Sequence, residues 1–296
     1  MLSSVLRLRI ITGLPLLAIV PLAACSAGNA VAPAASTAAH PQRILAAPRS
    51  VLAAGQPEPD GAIWMLAGST ASRGLFKFSL SSGHSLGSIS VSNAAQSVTE
   101  SLMGVIGLAM GTSNAGALEL LNGRSGAVIR TVPLGAPARR VVVGTDGGTF
   151  YVLNGSATSS SVTIVNSADG RVQGTVPVPL DTVSIVPDVE ETTLYALQPS
   201  GRVSQIAMAG GKIITSFPIG DSGRSLALSP DGSTLYVLKN GFASTNVAVV
   251  DLATERVRKV LPAASNCLQV LVSPSGNQLY QVVGTAAYGT IQVFSL

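Results

Sequence analysis

From residue 42 to the end, the chain is built of short runs rich in apolar and β-branched residues, each stopped by Gly, Ser, Asn or Pro. Such runs read as β-strands joined by turns. The stretch from Ser225 to Leu261 is the clearest: Ser225 to Leu228, Thr234 to Leu238, Asn246 to Asp251 and Arg256 to Leu261 are four predicted strands. The breaks fall at Pro230-Asp231-Gly232, at Lys239 to Thr245 and at Ala253-Thr254. Val247-Ala248-Val249-Val250 is apolar throughout, as expected of a strand covered on both faces.

The four-strand unit repeats. Gln278-Leu279-Tyr280, Thr234-Leu235-Tyr236, Thr193-Leu194-Tyr195 and Thr149-Phe150-Tyr151 recur with tyrosine spacings of 44, 41 and 44 residues. A period of about 40 to 45 residues made of short strands is the sequence form of a β-propeller blade. Ile63-Trp64 and Gly107-Leu108 extend the series, with 44 residues from Trp64 to Leu108 and 43 from Leu108 to Tyr151. The recurrent aromatics Trp64, Tyr151, Tyr195, Tyr236 and Tyr280 fall on the second strand, where a flat side chain fills the wedge between blades. The last repeat supplies only three strands, Cys267 to Val272, Gln278 to Val283 and Thr290 to Phe294. The missing outer strand is expected from Gln42 to Ala46, just ahead of the first inner strand at Ser50 to Ala54. That exchange closes the ring and hides its edges. The expectation is an all-β fold, a β-propeller of six four-stranded blades; the degenerate first third leaves seven as the alternative.

Ser229-Pro230-Asp231-Gly232, Leu235-Tyr236-Val237 and Val249-Val250-Asp251-Leu252-Ala253-Thr254 resemble the YVTN family of propeller repeats. Asp146-Gly147 with Phe150-Tyr151-Val152, Leu194-Tyr195, and Ser273-Pro274 with Leu279-Tyr280 keep parts of the pattern. As a fold the resemblance covers nearly everything from residue 50 onward; as motifs it is strong over about half. It implies the propeller and little about chemistry.

The N-terminus has a different character. Arg7 and Arg9 precede the 13-residue apolar stretch Ile10 to Leu22, followed by Ala23-Ala24-Cys25. The stretch is short of the roughly 20 residues a spanning helix needs and reads as a secretion signal. Leu22-Ala23-Ala24-Cys25 resembles a bacterial lipobox, which implies a signal peptide over 1–24, diacylation of Cys25 and attachment to a membrane outside the cytoplasm. Ordinary cleavage nearby, with an idle cysteine, is the alternative. Residues 25–41 read as a flexible tether and 42–296 as the propeller domain. A flexible run of 16 residues has a root-mean-square span of roughly 20 to 25 Å.

Composition removes several function classes. Without Arg7 and Arg9 the formal charge falls from +4 to +2, and aromatics are 4% of the chain, which argues against a nucleic-acid surface. The only histidines, His40 and His84, lie in the tether and in a predicted turn and make no metal cluster. Cys267 reads as a buried small hydrophobe. No Gly-X-Ser-X-Gly, His-Glu-X-X-His or phosphate-cradling loop occurs, and no cofactor is expected.

The candidate site comes from aligning the blades. Arg49, Arg139 and Arg224 fall at matching places just before the inner strands of blades one, three and five, with Gln96, Val183 and Leu268 between them. Arg49, Gln96, Arg139 and Arg224 are thus the expected ligand-binding residues, at a mouth suited to a small anionic ligand or a protein partner. The plainer alternative pairs each arginine with a local acid, such as Asp221 or Asp181. The expected function is a non-catalytic, lipid-anchored binding module. A propeller hydrolase resembling the calcium-dependent lactonases is the alternative, for which Glu100, Asp181 and Asp221 are the few acids near a mouth. Asp146, Asp169 and Asp231 are read as turn residues.

Overall fold

A computed structural model describes residues 40–296 except 114, 157, 221, 242 and 243. The signal segment, Cys25, nearly all of the tether and Asp221 lie outside the described residues. What is described is all strand and turn, arranged as six separate four-stranded antiparallel sheets. These are the six blades of a propeller, each running from an inner strand outward.

Blade six shows how the ring closes. Its inner three strands, Cys267–Val272, Gln278–Gly284 and Gly289–Ser295, are joined at the outside by Arg43–Ala47. Leu45 pairs with Ile291 and Ala47 with Gly289, so the first and last strands of the described residues share one sheet. The Arg43 guanidinium donates to the carbonyls of Leu80 and Ser81 in blade one, at 2.9 and 2.8 Å. The closing strand is therefore fastened to two blades.

Burial falls steeply across each blade. The second strand of blade one, Ala62–Gly68, is buried at all but its last position, whereas the outer strand of blade five, Arg256–Pro262, is exposed at all but one. The core is divided into six clusters, each between neighbouring blades. Trp64, Tyr151, Tyr195, Tyr236 and Tyr280 lie in five of them, each less than 8% exposed, which bears out their expected place in the wedges. Cys267 is a free, buried thiol that burial pushes up to about 12, consistent with an inert core residue.

The second blade corrects the alignment by one residue. Thr99 of its inner strand pairs with Gly107, as Val142 pairs with Tyr151 and Ala227 with Tyr236, so Gly107 and not Leu108 holds the aromatic position. The space is filled from the next blade: three ring atoms of Phe150 lie 3.1 to 3.2 Å from where a Cβ on Gly107 would be. Phe150 is fully buried and stands where other blades carry Leu194, Leu235 and Leu279.

Candidate functional site

The inner strands share a second irregularity, which governs the channel. In five blades the first pairing is followed by a register shift, skipping Leu52, Gln96, Arg139, Arg224 and Leu268. Each is a β-bulge residue, left out of the ladder and turned to solvent or to the blade's rim. The bulge position of blade one is thus Leu52, and Arg49 lies three residues earlier in a turn. This breaks the expected match of three arginines on alternate blades.

The predicted residues are all exposed on the face where the inner strands begin. Arg224 Nε donates to the Leu268 carbonyl of blade six at 3.3 Å. Gln96 donates to the carbonyls of Ala94 and Gly111, both at 3.3 Å. Among the described residues none of Arg49, Arg139 and Arg224 has an ion-pair partner, Asp181 included. Asp146, Asp169 and Asp231 accept from nearby turn amides, as expected.

The next residues after the five bulges, with their blade-four equivalent Ser184, are Ala53, Ser97, Arg140, Ser225 and Gln269, of which Arg140 and Gln269 line the channel. Four of these form a ring of hydrogen bonds from blade to blade. Val141 N–H donates to Ser97 Oγ at 3.3 Å, Leu226 N–H to Ser184 Oγ at 3.0 Å, and Val270 N–H to Ser225 Oγ at 3.3 Å. Gln269 accepts from Ala54 N–H at 3.1 Å and donates to the Ala54 carbonyl at 2.8 Å. Two links are missing. Ala53 and Arg140 supply no acceptor, so the matching amides of Val98 and Ile185 have no side-chain partner among the described residues.

Arg140 instead crosses the lumen to Ser225 of blade five, at 3.4 Å. Arg140 is part-buried, and desolvation lowers its pKa to about 10, leaving it charged at neutral pH. It lines a cavity of about 50 Å³ formed by the inner strands and is the only charged residue there.

This cavity continues into a wider vestibule of about 550 Å³ on the opposite face, where the inner strands end. Every blade contributes to it: Pro57, Leu102, Thr145, Pro187, Pro230 and Pro274 are one residue from each. Gln56, Pro57, Val186, Leu228 and Val272 line both spaces. None of Arg49, Gln96, Arg139 and Arg224 lines either.

One side of the vestibule is ionic. Lys77 Nζ lies 2.8 Å from Glu58 and 3.3 Å from Glu100, and 5.5 Å from the centre of the Trp64 ring. Trp64 Nε1 donates to Glu100 at 2.5 Å. Burial and the neighbouring Glu100 raise the Glu58 carboxyl to about 8, and Glu58 Oε1 is buried without a partner. Lys77 loses some preference for its charge to burial, but the two carboxylates hold its pKa above the ordinary lysine value. Among the described residues no three His, Cys, Asp or Glu side chains converge to hold a metal ion.

Sequence reasoning missed Arg140 and found its neighbour Arg139. The signal was present as the Arg139-Arg140 pair, but only the bulge decides which of two adjacent residues looks inward.

No family model matches the chain, and no curated protein matches it. Among solved structures it is similar to a chain of Kuenenia stuttgartiensis hydrazine synthase, with a TM-score of 0.64 at 16% identity, covering 83% of both chains. At that identity the likeness carries the fold and not the chemistry, and with the six sheets described above it makes this chain a six-bladed β-propeller.

Proposed function

We propose that the chain is an extracytoplasmic lipoprotein whose propeller binds a small organic ligand in the vestibule without transforming it. The observation that carries this is the vestibule: about 550 Å³, lined mainly by prolines and aliphatic side chains, with contributions from all six blades. Its size is that of an ordinary ligand site, and its apolar wall is punctuated by polar groups, Glu58, Asp60 and Glu100 among them, that can orient a ligand. The ligand-binding residues are thereby moved from the face bearing Arg49, Gln96, Arg139 and Arg224 to the opposite one. The Leu22-Ala23-Ala24-Cys25 segment supports the anchor, and the blade-five motif supports kinship with YVTN-type repeats.

The test uses the mature, detergent-solubilised protein in a thermal-shift screen of small metabolites, repeated on Leu228→Trp, which fills the vestibule. Ligands that stabilise the wild type and not the variant are the expected result; an empty screen defeats the reading. A lactone and ester panel run with added calcium checks the hydrolase alternative, for which turnover is the deciding signal. Cys25→Ser is expected to move the protein from the membrane fraction to the soluble one.

A further inference from the structure

We propose that the channel cavity is a carboxylate site, with Arg140 as its clamp. The groups on this wall that lack a side-chain partner can all donate. Arg140 is the only charge lining the cavity, and its one hydrogen bond, to Ser225 Oγ, is long at 3.4 Å. Thr99 lines the same cavity, and its Oγ1 is buried without a partner. The amides of Val98 and Ile185 are the two that the blade-to-blade ring leaves unserved, and both residues line the cavity. Of the two glutamines that line the cavity, Gln269 is engaged with Ala54 and Gln56 is exposed at the vestibule side. A part-buried cation beside spare donors is stabilised when an anion joins it.

Size selects the anion. A cavity of about 50 Å³ holds a few waters or a carboxylate group, and excludes a sugar or a nucleotide. A planar carboxylate matches the guanidinium fork with two parallel hydrogen bonds. The shared lining with the vestibule leaves an aliphatic path for a tail, so the carboxylate is either a free small acid or the head of a longer monocarboxylic acid. The second case rests on the vestibule being the binding mouth; the first does not.

The experiment titrates the full mature protein with acetate, with straight-chain monocarboxylates of six to eight carbons, with the matching primary amides and with chloride. Calorimetry and the fluorescence of Trp64, the only tryptophan, are the readouts. Acids are expected to bind and amides to fail. Arg140→Gln is expected to weaken acids about 10- to 100-fold, the range for losing a charged hydrogen-bond pair. That variant removes a part-buried cation and retains a polar head; Arg140→Met serves if it folds poorly. Val189→Phe, at a residue that lines the vestibule and not the cavity, is expected to weaken the long acids and spare acetate. Binding of acetate with no gain from a longer chain keeps the carboxylate site and defeats the vestibule reading. No binding of any acid, equal binding to Arg140→Gln, or chloride binding as tightly as acetate overturns the proposal.

Discussion

Phe150 and Gly107 form a complementary pair across the interface of blades two and three, in which a large side chain fills the space vacated by the missing one. A methyl group added at Gly107 would stand 3.1 Å from two Phe150 ring atoms, inside ordinary contact distance, in a fully buried site. Gly107→Ala should therefore cost about 1–3 kcal/mol, as overpacking does. Phe150→Leu alone leaves a cavity and costs about as much, but the double substitution should cost less than the sum, measured as urea midpoints at unchanged slope. Strict additivity would show that the two side chains do not compete for one space. Glu58 makes a second prediction at this scale. Its carboxyl holds its proton up to about 8 when folded, while the unfolded chain releases it in the ordinary carboxylate range. The folded state thus binds the extra proton between those values, so stability falls as pH rises from about 5 to 8 and then levels. Glu58→Gln should flatten that slope in melting temperatures taken from pH 5 to 9; an unchanged slope would assign it to other groups. Both features were hidden in the sequence for a common reason. The Leu-Tyr ruler has no mark in blade two, where Gly107 replaces the aromatic, and spacing alone then errs by one residue. The same single step separates Arg139, exposed in a bulge, from Arg140 in the channel.

Strands were far more legible than side-chain directions, because turn residues bound each run regardless of which face is buried. Cys267–Val272 coincides with its predicted strand, and Thr234–Asn240 runs two residues beyond Leu238. The closing strand Arg43–Ala47 was also legible, since three strands at the end leave a sheet that needs a fourth. What could not be read was its fastening: the Arg43 guanidinium bonds to carbonyls 37 and 38 residues away, and Leu45 lies 3.3 Å from the Cβ position of Gly83. Deleting residues 42–47 should expose the Gly289–Ser295 edge and part of the cluster between blades six and one. The expected result is a lower urea midpoint together with concentration-dependent association on size exclusion, because an uncovered strand edge pairs with other chains. Arg43→Ala isolates the fastening from the pairing. It should lower the unfolding free energy by about 1–2 kcal/mol without association, in line with two charge-assisted hydrogen bonds that are partly exposed. A deletion that stays monomeric at full stability would mean the ring holds closed through its other five blade interfaces.

At the scale of the whole molecule, closure by a strand from the other end is a statement about topology, and topology can be changed without changing a contact. Gln42 N–H donates to the Val293 carbonyl at 2.7 Å, so the chain enters the last sheet beside the point where it leaves at Leu296. A short turn such as Asn-Gly joining Ser295 to Gln42 would turn the closing strand into an ordinary third-to-outer hairpin, as in the other five blades. The new ends then fall between Ala47 and Val51, the exposed connection of blades six and one, where Ser50 has a left-handed φ of 55°. Relieving that residue removes a small strain, while the permuted chain loses the entropic restraint of a ring clasped by its own ends. Both terms are about 1 kcal/mol and opposite in sign, so the permutant running 48–295, turn, 42–47 should match the parent's unfolding free energy within that margin. It should also fold faster. Its closing strand now pairs with a sequence neighbour instead of one about 250 residues away, and local pairings avoid the long loop closure that slows non-local ones. Equal stability with faster refolding would identify closure as the late step in building the ring. Equal stability with unchanged refolding would place the slow step in docking the blades, whose interfaces the permutation leaves untouched.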